Sequence, residues 1–99
     1  MRIRYLSEAD DDLEGIKRHY LKVGGKALAL RMVRSIRKEV AGLSDNPNIA
    51  PPYEIAKGVR RLVVADGAYL AFYRVREVIE VIHIRRAERE PATTEELDV

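Results

Sequence analysis

Residues that could transfer protons or bind anions are concentrated near the carboxyl end of the chain, in the stretch EVIEVIHIRRAERE at 77–90. Its histidine, His83, has a side chain that can act as a general acid or base, because imidazole titrates near neutral pH. Arg85, Arg86 and Arg89 stay charged at physiological pH and suit the binding of carboxylates and phosphates. The stretch is therefore a candidate for a catalytic centre, a macromolecule-binding surface or the charged rim of a sheet.

Metal and thiol chemistry are not indicated by the composition. The chain has no cysteine, which excludes disulfides and thiolate metal sites, and its two histidines lie 64 positions apart. Zinc sites need several such ligands at short, regular spacing. We therefore predict no metal site and no cofactor.

Charge is distributed unevenly along a chain that is long enough for one domain. The 99 residues are 46% hydrophobic, which suits a single core. Residues 87–99 hold five carboxylates and one arginine, a net charge of −4, so the rest of the chain carries +6. We expect no membrane span and no leader peptide, because long apolar runs are missing and the acidic SEADDD closely follows Arg2 and Arg4. A cytoplasmic protein is predicted.

The elements that must position these residues follow from periodicity. Acidic residues after Ser7 favour a helix start, and Gly24 and Gly25 favour its end. Asp66 and Gly67 form a hairpin signal between two β-rich runs. The predicted elements are a strand at 2–6, a helix at about 7–23, a second helix ending at 43, a long loop at 44–58, and strands at 59–65, 68–75 and 78–84.

This order predicts an α+β domain, β-α-α-β-β-β, with an antiparallel helical hairpin packed on one face of a small antiparallel sheet. The other sheet face is expected to stay partly uncovered. Register decides which side chains it carries, since a slip of one residue exchanges the faces. The candidates for this face or its rim are Arg60 or Arg61, Arg74, His83 and Arg85.

A resemblance to a known family follows from the order of several short patterns. The first helix has the pattern AxxDLxxIxxxY, the loop has Pro47, and the strands read GVRRLVV, YLAFYRV and IEVIHIRR. Together they resemble the RelE/ParE superfamily of type II toxin-antitoxin toxins, and the ParE branch in particular. The resemblance covers roughly residues 2–87, so we expect a single toxin domain over 1–99 with an acidic tail at 88–99.

The resemblance implies a toxin that is held inactive by a cognate, ParD-like antitoxin, in a heterotetramer or larger complex. ParE members poison DNA gyrase, whereas RelE members cleave mRNA in the ribosomal A site. We expect a ParE-like gyrase poison, which meets nucleic acid only indirectly. The alternatives are a RelE-like ribosome-dependent mRNA endonuclease and an inactive interaction module of the same fold.

A nuclease makes stricter chemical demands than a gyrase poison. In-line attack of a 2′-hydroxyl needs a base, an acid and cations for the phosphate charge. His83 and Tyr73 lie in apolar strands, and the acidic tail offers no further tyrosine or histidine, which favours the gyrase poison. If the chain is a nuclease, its candidate residues are His83, Tyr73, Arg61 and Arg85.

Two binding surfaces are predicted instead of a catalytic centre. The first contacts the target through the arginine-rich strand end, since arginine is a frequent interface anchor. The second binds the antitoxin through the outer face of the second helix and an exposed sheet edge, by pairing basic with acidic groups. Target-binding candidates are Arg74, His83, Arg85, Arg86 and Arg89. Antitoxin-binding candidates are Leu30, Arg31, Arg34 and Lys38.

Overall fold

A computed structural model describes residues 1–88 and 92–98 of the chain. The described part contains four strands and three α-helices, and a short 3-10 turn at Gly42–Ser44 follows the second helix. The elements are β1 (Ile3–Tyr5), α1 (Ser7–Gly24), α2 (Lys26–Ala41), β2 (Arg60–Val64), β3 (Tyr69–Val75), β4 (Ile79–Arg86) and α3 (Thr94–Leu97).

The two long helices form the predicted hairpin around a single connecting residue. Gly25 has φ of 87°, a left-handed value that glycine adopts without a steric penalty, and this allows the chain to reverse. Each helix buries one stripe of small and branched residues against the sheet. The buried positions are Ala9, Leu13 and Ile16 of α1 and Ala29, Ile36 and Val40 of α2.

The sheet confirms the three-stranded antiparallel meander and adds β1 at its edge. The strand order is β1-β4-β3-β2, with β2, β3 and β4 antiparallel to their neighbours. β1 runs parallel to β4, with Ile3 opposite Ile79, so the sheet as a whole is mixed. This pairing covers the outer edge of β4, whose backbone groups would otherwise lack strand partners.

A β-bulge in β4 changes the facing of its side chains. Phe72 lies opposite His83 and Tyr73 opposite Val81, so Ile82 is an extra residue on this strand. Val81 and Ile84 consequently pack on the helix side, whereas Ile82 packs on the opposite face. The bulge is the reason that simple alternation cannot assign the faces of this strand.

A second apolar cluster covers much of the face that was predicted to be partly uncovered. Residues 51–59 and the segment that contains α3 pack there against Phe72 and Ile82 of the sheet. Ala92 and Leu97 of the acidic segment are buried, and the Tyr53 hydroxyl donates to the Ala92 carbonyl at 2.9 Å. The acidic segment is therefore attached to the domain over its described part.

Over residues 1–88 and 92–98, no helix is both long enough and apolar enough to cross a membrane.

Candidate functional site

The sheet face away from the helical hairpin, here called the open face, carries Arg61 and Arg85. Residues directly opposite each other on paired strands lie on the same face. Arg61 is opposite Phe72, and Arg85 is opposite Leu70. Phe72 and Leu70 both belong to the second apolar cluster described above, here called the open-face cluster. Arg60 faces the other way, and its guanidinium donates to the Ala50 carbonyl at 2.6 Å.

Arg61, Arg85 and Arg86 line a cleft of about 480 Å³ on this face. Leu70 and Phe72 give the cleft apolar lining, and residues 51–55 form another part of its wall. The Arg61 guanidinium lies 5.9 Å from the centre of the Tyr53 ring, within cation-π range. The cleft thus combines an apolar surface with cationic groups, which suits an interface anchor better than a purely polar site would.

Arg85 is already paired within the chain. Its guanidinium donates to the Glu96 carboxylate of α3. A capping box orients Glu96, because the Thr93 hydroxyl accepts from the Glu96 N–H while the Glu96 side chain accepts from the Thr93 N–H. The Thr93 N–H, and then the Arg85 charge, lower the pKa of Glu96. A target that binds Arg85 must therefore compete with Glu96.

His83 is held between two carboxylates of α1. Its Nε2 lies 2.6 Å from Glu8 Oε2, and its Nδ1 lies 3.0 Å from Asp12 Oδ2. Asp12 also accepts the Ile84 backbone N–H at 2.9 Å, at the edge of β4 beyond its pairing with β1. The imidazole therefore links the start of α1 to the sheet, and only 15% of its side chain is exposed.

The partners of His83 were missed from the sequence, although one signal was available. Glu8 and Asp12 are four residues apart, so they share one face of α1 and can act together on a single group. As acidic residues that follow Ser7, they predict only a helix start. The sequence offered no indication that this face meets a strand more than 70 positions later.

Arg86 lies beside His19, the second histidine of the chain. No sequence pattern connects His19 with this region. One guanidinium nitrogen is 3.4 Å from His19 Nε2, and another is 3.6 Å from a Glu88 carboxylate oxygen. Next to it the Tyr69 hydroxyl lies 3.4 Å from the Tyr20 hydroxyl. Burial, followed by the Tyr20 hydroxyl, raises the pKa of Tyr69 to about 12.

The structure brings both histidines to one small cleft. His19 and His83 line a space of about 290 Å³ together with Arg85 and Arg86. Carboxylates of α1 and α3 line the same space. A polyanion would meet cations and anions here at close range, which is a poor electrostatic match for phosphate.

Arg74 lies on the open face at the end away from Arg85. Its Nε is 2.6 Å from Glu80 Oε1, and Arg4 and Arg76 contact the same carboxylate. Glu80 is only 6% exposed. Its hydrogen bond to Arg74, more than any other contact, lowers the pKa of the carboxyl. Arg74 is thus part of an ion-pair cluster.

The remaining target-binding candidate, Arg89, lies outside the described residues.

Among the four nuclease candidates, Arg85 shares one cleft with Arg61 and another with His83, whereas Tyr73 lies apart from them. Tyr73 packs with buried residues of α1 and α2 in the apolar cluster between the helices and the sheet, here called the helix-side cluster. Its hydroxyl donates to the Pro47 carbonyl at 2.8 Å. Burial raises the pKa of Tyr73 above its ordinary value of 10.0. Arg61 and Arg85 lie on the opposite face of the sheet, so Tyr73 cannot reach a substrate bound to them.

The four antitoxin-binding candidates do come together. Leu30, Arg31, Arg34 and Lys38 line one shallow groove on the outer face of α2. Their spacing of three or four residues is what places them side by side on a helix.

Comparisons with known proteins agree with this architecture. The family described as the ParE toxin of the type II toxin-antitoxin system parDE matches residues 3–91. A solved structure titled "Chromosomal ParDE TA system from P. aeruginosa" contains a chain that is 31% identical, with a TM-score of 0.82. The match covers 89% of this chain and 97% of that one. A search of curated proteins found no significant match. This chain belongs to the ParE toxin family of type II toxin-antitoxin systems.

Proposed function

We propose that this toxin arrests growth by poisoning DNA gyrase and that a cognate ParD-like antitoxin neutralises it. The observation that supports a poison over a nuclease is the state of the two possible proton-transfer groups. Tyr73 is buried on the helix side with its hydroxyl bonded to Pro47, and His83 is held between Glu8 and Asp12. A gyrase poison requires complementary shape and charge and no acid-base pair. Its place of action would be the cytoplasm.

The proposed target-binding surface is the rim of the open-face cleft around Arg85 and Arg86. Arginine is enriched among residues that dominate binding energy, and here the guanidiniums border apolar lining from Leu70 and Phe72. Glu96 neutralises Arg85 in the free chain. A target that supplies its own carboxylate would replace this contact without leaving a buried charge unpaired.

The proposed antitoxin-binding surface is the groove on α2 that contains Leu30, Arg31 and Arg34. An amphipathic segment can place an apolar side chain next to Leu30 and carboxylates next to the two arginines. We expect a heterotetramer or larger complex with the antitoxin. Light scattering of the co-purified proteins would measure its mass.

The test compares two double variants that each remove two arginines. Arg85→Ala with Arg86→Ala should reduce killing at least tenfold at equal protein level, because an anchor typically contributes more than 1 kcal/mol. Arg31→Ala with Arg34→Ala should stay toxic but escape the antitoxin.

Linear, protein-linked plasmid alongside intact messenger RNA would support gyrase poisoning. Tyr73→Phe, which keeps the ring and loses only the buried hydroxyl, should remain toxic.

A ribosome-dependent nuclease remains the second candidate because His19 and His83 line the same cleft as Arg85 and Arg86. Intact plasmid together with messages cut within codons would establish that activity and overturn gyrase poisoning. His83→Asn should then abolish the cleavage. Unchanged growth on induction of the wild-type chain would instead indicate the inactive interaction module.

A further inference from the structure

Three charged side chains form a row across the open face at the end away from Arg85. The register places Arg4 of β1 opposite Glu80 of β4, and Glu80 opposite Arg74 of β3. Residues in such a row project from one face on neighbouring strands. Arg76 reaches the same carboxylate, with its Nε 3.9 Å from Glu80 Oε1. Three cations therefore surround one anion, which leaves an excess of two positive charges.

Two of the three arginines present most of their side chain to solvent. Arg4 and Arg76 are each 64% exposed at the side chain, whereas the Glu80 side chain between them is 8% exposed. A guanidinium has five N–H donors, so the contacts with Glu80 leave donors of both groups available. Glu80 also restricts the positions of the guanidiniums, which reduces the ordering cost of binding a further anion.

The surroundings of this row add positive charge. Arg2 is exposed and lies two residues before Arg4 in the chain, and exposed Lys57 lines one groove with Arg74 and Arg76. Asp98 is an acidic member of that groove, and exposed Glu77 follows Arg76. Of the apolar side chains in the groove, Ala56, Val59 and Leu97 are buried and Val75 is half-buried.

This composition favours nucleic acid over an acidic protein as the partner. Protein interfaces have an apolar or aromatic centre, and the groove offers no fully exposed apolar side chain among its described residues. Phosphate oxygens need only positioned cationic donors, which Arg4 and Arg76 provide. Arginine also binds phosphate with two parallel hydrogen bonds.

We propose that Arg4 and Arg76, positioned by Glu80, form a docking site for the phosphate backbone of duplex DNA. The site goes beyond the proposed function, because a gyrase poison needs to contact only the enzyme. Direct contact with DNA would give the toxin a second point of attachment beside the enzyme. Contacts to phosphate oxygens carry no sequence information, so binding should be independent of sequence.

The experiment measures fluorescence anisotropy of a labelled short duplex with the purified chain between about 50 and 200 mM salt. Arg4→Gln with Arg76→Gln should weaken binding about tenfold and reduce the salt slope by about 2, since each lost phosphate contact accounts for about 0.9. Arg31→Gln with Arg34→Gln, which removes the same charge from α2, should change the affinity less than about twofold. Arg4→Lys with Arg76→Lys should keep the salt slope, because lysine also neutralises phosphate.

Several results would overturn the docking site. The first is failure of the wild-type chain to bind the duplex at low salt. The second is an equal loss of affinity in the two double glutamine variants. The third is loss of the salt slope in the double lysine variant while its circular dichroism is unchanged. Stronger binding of an acidic peptide that displaces the duplex would assign the surface to a protein partner instead. The assay uses neither gyrase nor cells, so its failure would leave the proposed function untouched.

Discussion

Glu80 keeps its charge in a nearly buried position because three guanidinium groups surround it. Arg74 and Arg4 hydrogen-bond to the carboxylate, and Arg76 lies within ion-pair distance. Loss of one partner of a buried ion pair is costly, since the remaining charges stay desolvated without compensation. The residue therefore links β1, β3 and β4 by charge as well as by backbone pairing.

Glu80→Gln should lower the free energy of unfolding at pH 7 by about 2 kcal/mol, the value of a hydrogen bond to a charged group. The folded-state pKa of Glu80 lies below its ordinary value of 4.5, so its contribution is complete above pH 4.5 and lost as the pH falls through the folded-state pKa. Urea titrations from pH 7 to pH 3 should show the gap between wild type and variant closing. A gap that stays constant with pH would contradict this assignment.

His83 shows what residue-level sequence reading can and cannot supply. The flanking Ile82 and Ile84 predict that His83 lies within an apolar strand, and the structure places it in β4 with 15% of its side chain exposed. The clamp by Glu8 and Asp12 could not be predicted, because it depends on α1 crossing the edge of β4, a tertiary contact without a local signature. The same limit applies to His19, which meets Arg86 only in the folded chain.

At the scale of elements, the predicted order of the two long helices and the four strands agrees with the structure, and the predicted boundaries differ by at most two residues, because each of these elements carries local signals. Apolar spacing marks α1 and α2, and the Asp66-Gly67 turn marks the β2-β3 hairpin. The bulge at Ile82 has no such signal, so the faces of His83 and Arg85 required the actual β3-β4 register. The choice between Arg60 and Arg61 likewise required the β2-β3 register. The docking of α3 was also missed, since four residues are too few for periodicity.

The α3 segment should open independently of the domain when its anchor is removed. Leu97 is buried in the open-face cluster, and α3 is otherwise held by few contacts. Leu97→Ala should therefore increase amide exchange at Glu96 and Leu97 at least tenfold and leave exchange in β3 nearly unchanged. Glu95→Gln on the same helix is exposed and serves as the control. Unchanged exchange at α3 would show that Leu97 does not anchor it.

At the scale of the whole molecule, one sheet separates two apolar clusters of unequal size. The helix-side cluster contains most of the buried residues of the two long helices together with the helix-side residues of β3 and β4. The open-face cluster joins the loop at 51–59 to α3. Because the strands contribute to both clusters, the domain should unfold as one unit apart from α3.

Ile36→Ala should test this cooperativity. Ile36 is fully buried between α2 and the sheet, so the truncation should lower the free energy of unfolding by about 2–5 kcal/mol. Tyrosine near-ultraviolet and backbone far-ultraviolet dichroism should still report one coincident thermal transition. Val63→Ala, at an exposed site, should change stability by less than about 0.5 kcal/mol. Two separated transitions in the Ile36 variant would show that the clusters fold independently.

The outer edge of β2 has a consequence for self-association. Exposed strand edges can recruit strands from other copies and start aggregation. Here the Pro51 carbonyl accepts the Arg61 N–H, and a Glu39 carboxylate oxygen accepts the Ala65 N–H. These two contacts cap the outward N–H groups on either side of Val63, so the stretch of β2 edge between them is short. So short a stretch between two capped positions is a poor template for a further strand, so we expect the β2 edge of this toxin not to recruit strands from other copies.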